Sequence, residues 1–197
     1  MKFVIVGLGN PGEEYLNTRH NTGRLAVVAF DVSQEFGGFI DDRKTKSDIS
    51  KGVIGKHSVT LMLPNTFMNK SGSAVKNLIT SVKAAQRLVV VYDDIDLPFG
   101  SIRLSFGRGS GGHKGVESII RAVKTKDFVR VRIGVSPTTP GGKIKKPKGE
   151  QKVYDFLLGE FTKKEEEDTL KKLFKTTSAA LESIVIDGHV KAMNAHN

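Results

Sequence analysis

Apolar residues follow two alternating spacings along the chain. Residues 2–6 form a short run of β-branched and aromatic side chains ending at Gly7, the pattern of a buried strand. Residues 7–23 are polar and rich in Gly, Asn and Pro, which predicts a long loop. Leu25, Val28, Ala29, Val32 and Phe36 then recur at helical spacing. They predict a helix over about 24–36, capped by Asn21 or Thr22 and stopped by Gly37-Gly38. The polar stretch 43–54 predicts an edge strand, and residues 59–63 a strand closed by Pro64. Val75, Leu78, Ile79 and Val82 predict a helix after Ser71, and the apolar run 88–92 a buried strand. Ile102, Leu104 and Phe106 alternate with polar residues, as in a half-exposed strand. Val116, Ile119, Ile120 and Val123 mark another helix. Val129, Val131 and Ile133 alternate with Arg130 and Arg132, a strand with an arginine face.

Residues 136–149 have three prolines and no periodicity, which predicts a flexible basic loop. Val153, Phe156 and Leu157 suggest a short helix. Thr162 to Glu165 reads as a capping box opening a helix that stops near Asp187-Gly188, with 189–197 as a tail. Strands alternating with helices predict an α/β fold, one domain over 1–197 with helices on both faces of a sheet.

Charge sharpens this picture. The 197 residues carry a net charge of +10, and residues 101–152, with thirteen Lys/Arg against three Asp/Glu, account for all of it. A regional excess of this kind suits a polyanion, and nucleic acid is the expected partner. The chain has no cysteine, which excludes disulfides, a thiolate nucleophile and Cys-based metal sites. No apolar run approaches the roughly 20 residues of a membrane span. The first strand begins directly after Met1, so the expected location is cytoplasmic, with no membrane partner.

Gly7-Leu-Gly9-Asn-Pro-Gly12 follows a strand and matches G-x-G-x-x-G. A dinucleotide site needs a helix to start within those glycines. Here Pro11 and the polar stretch to Thr22 postpone it, and Asp31, at the spacing of the ribose-binding acid, falls inside the helix. A different chemistry gathers at strand ends. Asn10, Asn69 and Asp93 each follow a predicted strand, and His20 shares the loop of Asn10. Ligand sites of open α/β sheets lie at such ends. An imidazole oriented by a carboxylate can take a proton from water, and amides can hold a peptide or an oxyanion. With no serine in a G-x-S-x-G elbow, direct attack by water is favoured. Asp93, Asp94 and Asp96 are a weak metal candidate. Gly111, Gly112 and Gly115 around His113 are either an anion nest or a lid hinge.

The segments GLGNPGEEYLNTRHNTG (7–23), LPNTFMNKSG (63–72), DDIDLPFGSIRL (93–104), GSGGHKGVESI (109–119) and FVRVRIGV (128–135) together resemble the bacterial-type peptidyl-tRNA hydrolase family, in its order and spacing. The resemblance thins after about residue 136. It implies a monomeric α/β fold around a twisted mixed sheet. The implied activity is cleavage of the ester joining a peptide to the 3′-terminal ribose of tRNA, without metal or organic cofactor. It places the catalytic histidine at His20, its acidic partner at Asp93 and substrate-holding amides at Asn10 and Asn69. Tyr15, Phe67, Met68 and His113 fall at positions lining the peptide groove. Two departures stand out. Lys114 replaces the family's usual asparagine, and an ammonium has donors but no acceptor. Of the basic clamp on the tRNA 5′-phosphate, Arg132 matches the arginine but the lysine position holds Ser105. Arg103, on the same strand face, is the candidate substitute. Lys143, Lys145, Lys146 and Lys148 form an extended basic loop able to add phosphate contacts.

Overall fold

The strand Lys2–Gly7 (β1) runs parallel to His57–Pro64 (β4) on one side and to Leu88–Pro98 (β5) on the other. β5 runs parallel to Val129–Ser136 (β7). The outer strands are antiparallel: Ser47–Ile54 (β3) on β4, Ile40–Asp42 (β2) on β3, and Ile102–Phe106 (β6) on β7. The result is a seven-stranded mixed sheet of order β2-β3-β4-β1-β5-β7-β6. The computed structural model describes residues 1–162 and 166–197.

Period-two alternation splits the core between the two faces. Ile5, Val89 and Val91 face one cluster with Ala26, Val27 and Phe30 of helix Thr22–Ser33 (α1). Leu173, Leu181 and Ile184 complete that layer from the long C-terminal helix. Val6, Val90 and Tyr92 face the other cluster with Ala74 and Val75 of Ser71–Val75 (α2) and with Val116 and Ile119 of a later helix. Each such buried aliphatic side chain contributes roughly 1.5–3 kcal/mol. Two glycines set how closely the layers approach. A Cβ on Gly23 would lie 2.3 Å from the Val91 carbonyl oxygen, so only glycine lets α1 close onto β5. A Cβ on Gly72 would lie 2.1 Å from the Ser118 carbonyl oxygen, where α2 meets its neighbouring helix.

Several elements differ from the sequence pattern. α1 starts at Thr22 and ends at Ser33, short of 36, and Asn21 does not cap it with its side chain. The stretch 43–54 is not the edge: β2 is, and β3 lies inside it. The helix expected after Ser71 is two pieces, α2 and Val82–Ala85 (α3), because the Ser81 hydroxyl accepts from Ala84 N and starts a new turn. β5 overruns its apolar stretch to Pro98, so Asp93 lies within the strand and not after it. Lys114–Val123 (α4) and Glu150–Leu158 (α5) match their patterns.

The basic loop is tied into a small hairpin. Thr138 bridges Ile144, Lys145 N donates to Pro137 O, and Lys146 pairs with Asp96. The expected arginine face is partly interior, since Arg130 is only 1% exposed. A single π turn, Glu166–Leu170, leads into Lys171–Asp187 (α6), and Gly188 at positive φ breaks the chain before His189–His196 (α7). The 189–197 segment is therefore a helix, not a tail. The Asn197 side chain accepts from Leu104 N and donates to Leu104 O, covering the edge strand β6. The capping box expected over 162–165 needs residues 163–165, which lie outside the described residues. Among the described residues, no helix is long and apolar enough to cross a membrane.

Gly72→Ala forces two backbones apart, and overpacking of this kind costs about 1–3 kcal/mol. The expected outcome is a melting temperature lower by several degrees in a thermal unfolding scan, and an unchanged melt would contradict the close approach.

Candidate active site

Because β1, β4 and β5 are parallel, their carboxyl ends open onto one rim. Asn10 lies just beyond β1, Asn69 in the 3-10 turn Met68–Lys70 beyond β4, and Asp93 in β5 where its side chain faces that rim. His20 sits in the 3-10 turn Arg19–Asn21 that leads into α1. Arg19 N donates to Gly159 O and the Thr22 hydroxyl to Arg19 O, fixing the turn against the chain beyond α5.

These contacts bring His20 Nδ1 to 3.0 Å from both carboxylate oxygens of Asp93. His113 approaches from the other side, its Nε2 3.1 Å from Asp93 Oδ1. His113 is the N-cap of α4, and its Nδ1 accepts from Val116 N. That bond leaves the ring proton on Nε2, where it is donated to Asp93. Asp93 is thus almost fully buried, at 2% exposure, with two imidazole N–H groups as donors. Burial pushes its carboxyl up, but the two imidazoles outweigh this and hold it well below the usual carboxylate range. For His20, burial lowers the imidazole pKa, the Asp93 charge and hydrogen bond together raise it by more, and the Lys114 ammonium lowers it. The net direction is upward from 6.5. With Nδ1 on Asp93, Nε2 is left for a ligand.

The amides are not equivalent. Asn10 Oδ1 accepts from Met68 N at 2.8 Å, while its backbone pairs twice with the Asn21 side chain. The Asn10 oxygen is thus already engaged, while its Nδ2 makes no hydrogen bond among the described residues. Asn69 is exposed and makes no side-chain hydrogen bond among the described residues, so it keeps both functions. Together with Tyr15, Phe67, Met68 and His20, these residues line a cleft of about 450 Å³. Phe67 stands 56% exposed at its edge.

A second cleft of about 560 Å³ opens on the other side of His20, lined by Asp93, Ile95, His113, Val153 and residues 110–112. His20, Lys114, Tyr154 and Leu157 border both clefts. Lys114 Nζ lies 3.4 Å from Glu150 Oε1 at the start of α5. Beyond the second cleft is a basic hollow of about 470 Å³ with Arg103, Arg108, Arg130 and Arg132. Arg103 and Arg132 are register partners on β6 and β7. Arg132 Nε holds Asp94 at 2.7 Å. Arg130 Nη1 donates to Gly109 O, while its Nε and Nη2 and the Ser105 hydroxyl are buried without a hydrogen-bond partner.

All the residues expected at the site thus reach this one face. Asp94 and Asp96 are paired with Arg132 and Lys146, which removes the acidic run 93–96 as a free metal cradle. His20, Asp93 and His113 offer ligand atoms within 4.8 Å of one another, and their hydrogen bonds account for that clustering. Gly111 and Gly112 have positive φ and open space around them, whereas Gly115 is packed, a Cβ there lying 2.5 Å from Met68 Sδ. The glycines 7–12 open no α-helix: two 3-10 turns intervene before α1. Three contributors escaped the sequence reading. Asn21 looked like a helix cap, Arg130 like a surface residue, and Tyr154 carried no signal beyond the α5 stripe.

The family model described as peptidyl-tRNA hydrolase matches residues 4–197. A peptidyl-tRNA hydrolase of Herpetosiphon aurantiacus is 41% identical over 99% of this chain and 90% of its own. That of Chloroflexus aggregans is 38% identical over 99% and 98%. Among solved structures, a peptidyl-tRNA hydrolase complexed with N-propanol superposes with a TM-score of 0.86 at 32% identity, covering 99% of this chain and 94% of the other. The Acinetobacter baumannii peptidyl-tRNA hydrolase gives 0.82 at 32% identity with the same coverage. With its mixed sheet, rim histidine and partnered aspartate, this chain belongs to the peptidyl-tRNA hydrolase family.

Proposed function

We propose that the chain hydrolyses the ester between a peptide and the 3′-terminal ribose of tRNA, with His20 as the base. The observation that carries this is the His20–Asp93 pair, set where two clefts meet and with Nε2 turned to the ligand. His20 takes a proton from water as the water oxygen bonds to the ester carbonyl carbon. Asp93 stabilises the imidazolium that forms. Asn10 Nδ2, Asn69 and the Lys114 ammonium are placed to donate to the carbonyl oxygen as it becomes negative. When the intermediate collapses, the ribose oxygen leaves with the His20 proton. The products are tRNA with a free 3′-hydroxyl and a peptide carboxylate. Tyr15, Phe67 and Met68 offer the peptide adaptable apolar walls that do not select a sequence.

The tRNA acceptor stem binds through its phosphates at the hollow of Arg103 and Arg132, with Arg130 donors behind them and the lysine hairpin alongside. In this reading the chain acts as a cytoplasmic monomer, and the residues named supply every proton and charge the hydrolysis needs.

His20→Ala is expected to lower kcat on N-acetyl-aminoacyl-tRNA by about 10²–10⁴-fold while the tRNA Kd changes little. Equal loss of binding and turnover would refute the role given to His20. The pH dependence has a definite sign. The base form of His20 is lost as pH falls through a pKa above its ordinary 6.5, so kcat/KM should decline on an acidic limb centred above that value. Lys114→Met removes a lowering charge and should move the limb to higher pH. Asp93→Asn removes the raising partner and should move it lower. Arg103→Ala should flatten the slope of log affinity for tRNA against log salt by about 0.7–0.9 if it holds one phosphate.

A further inference from the structure

The amide-lined cleft carries a charge of its own. Lys70 and Lys114 both line it, and among the described residues no aspartate or glutamate does. Glu13 and Glu14, next in sequence to Tyr15, and Glu160, beyond Leu158, lie outside its walls. Lys70 is exposed, and its side chain makes no hydrogen bond or ion pair among the described residues. Its backbone is fixed: Lys70 N donates to Phe67 O at 2.8 Å, and the Ser71 hydroxyl donates to Met68 O at 2.8 Å. Lys114 has Glu150 at 3.4 Å, but the two side chains are 66% and 89% exposed. A pair so exposed is worth little and is readily traded for another carboxylate. Asp93 does not line this cleft, and its charge is met by two imidazoles. The cleft is therefore positive, with neither ammonium firmly neutralised.

Its walls strengthen the effect. Phe67, Met68, Leu157 and Leu158 are apolar and leave less water between charges, so an ammonium acts more strongly there than on an open surface. A lysine is also a mobile point charge and not a fork that demands one geometry. It favours a carboxylate at a range of positions, and so grades substrates without excluding any.

We propose that Lys70, assisted by Lys114, biases the cleft toward peptides with an aspartate or glutamate close to the ester. This rests on the peptidyl-tRNA reading above and names the peptides that the same site prefers. The two lysines divide the positions. Lys114 borders both clefts with His20, so it stands by the residue that carries the ester, whereas Lys70 lines the amide cleft alone and serves the residue before it. The other anion within a lysine's reach is tRNA phosphate. The arginine hollow where the phosphates dock shares no lining residue with this cleft, which favours the peptide carboxylate.

The test keeps the tRNA constant. One tRNA body carries N-acetyl-Glu-Leu or N-acetyl-Gln-Leu, peptides of nearly the same shape that differ by one charge. The unaltered chain should cleave the Glu form with a kcat/KM about three- to tenfold higher, chiefly through KM. That ratio should fall toward one as salt screens the charges. Lys70→Gln should reduce the ratio to about two or less, and Lys70→Glu should take it below one. Each variant is read as a ratio on one preparation, so a partly unfolded sample does not distort it. A ratio of one in the unaltered chain overturns the assignment. So does a loss in Lys70→Gln that is equal for both substrates, which would give the lysine to the tRNA. If the unaltered chain cleaves neither ester, the same peptides amide-linked to 3′-amino-tRNA decide by Kd. Tighter binding of the Glu form, lost in Lys70→Gln, leaves the preference standing while the hydrolase reading fails, and equal binding overturns both.

Discussion

A single ionised carboxylate, out of reach of water, sets the terms for the rest of the molecule. Burying Asp93 alone would be prohibitive, and its charge survives because two imidazole N–H groups donate to it. Each donor belongs to a different element. Asp93 is on β5, His20 on the turn before α1, and His113 on the cap of α4. The carboxylate therefore holds both helical layers to the same strand at one end of the sheet. Gly23 serves the same end by letting α1 approach the β5 backbone closely enough for the His20 turn to reach. His113 does double service. The helix amide on its Nδ1 fixes which nitrogen carries the proton, so the donor to Asp93 is set by the start of α4.

The distribution of charge follows from the same geometry. A +10 excess spread over the whole surface would attract RNA anywhere. Here the cations concentrate around β6, β7 and the hairpin, beside the rim and not in it. Two of them are spent on rim carboxylates, Arg132 on Asp94 and Lys146 on Asp96. The other cations of residues 101–152 lie outside the two clefts that meet at His20. Lys114 is the exception, and its cost is visible: it works against the Asp93 charge that raises His20. Its ammonium lies 3.4 Å from Glu150 at the start of α5, a helix that buries none of its own side chains, and both partners are exposed, so the pair adds little to stability.

Much of this was legible in the chain because strands and helices bury faces at fixed periods. The β1, β4, β6 and β7 runs and the α4 and α5 stripes sit where their patterns put them. The misses have local causes. β5 continues past Tyr92 because ladder hydrogen bonds to β7 do not require apolar side chains, so Asp93 and Asp94 can be strand residues. The helix after Ser71 breaks because Ser81 competes for a backbone amide, which apolar spacing cannot register. The loop 136–149 is organised by backbone bonds and one ion pair, neither of which has a periodic signature. At the site, residue types told which side chains mattered, while the roles of Asn21 and Arg130 depend on partners distant in sequence. Arg130 in particular looked exposed because arginine usually is, whereas its strand carries it beneath the Gly109 turn.

The exchange of asparagine for Lys114 has a consequence that composition alone would not suggest. Within the proposed reaction, a peptide needs both donors for its carbonyls and acceptors for its N–H groups. Asn10 has given its oxygen to Met68 N, and Lys114 has no acceptor to give. Of the two side-chain amides Asn10 and Asn69, that leaves Asn69 as the one whose oxygen accepts no hydrogen bond among the described residues. Peptide carbonyls are then held by several donors and peptide N–H groups by one amide. Such a groove grips the ester end, where the carbonyl reacts, more firmly than the rest of the peptide. This is the balance expected of an enzyme that must cut at one fixed bond while accepting any sequence beyond it.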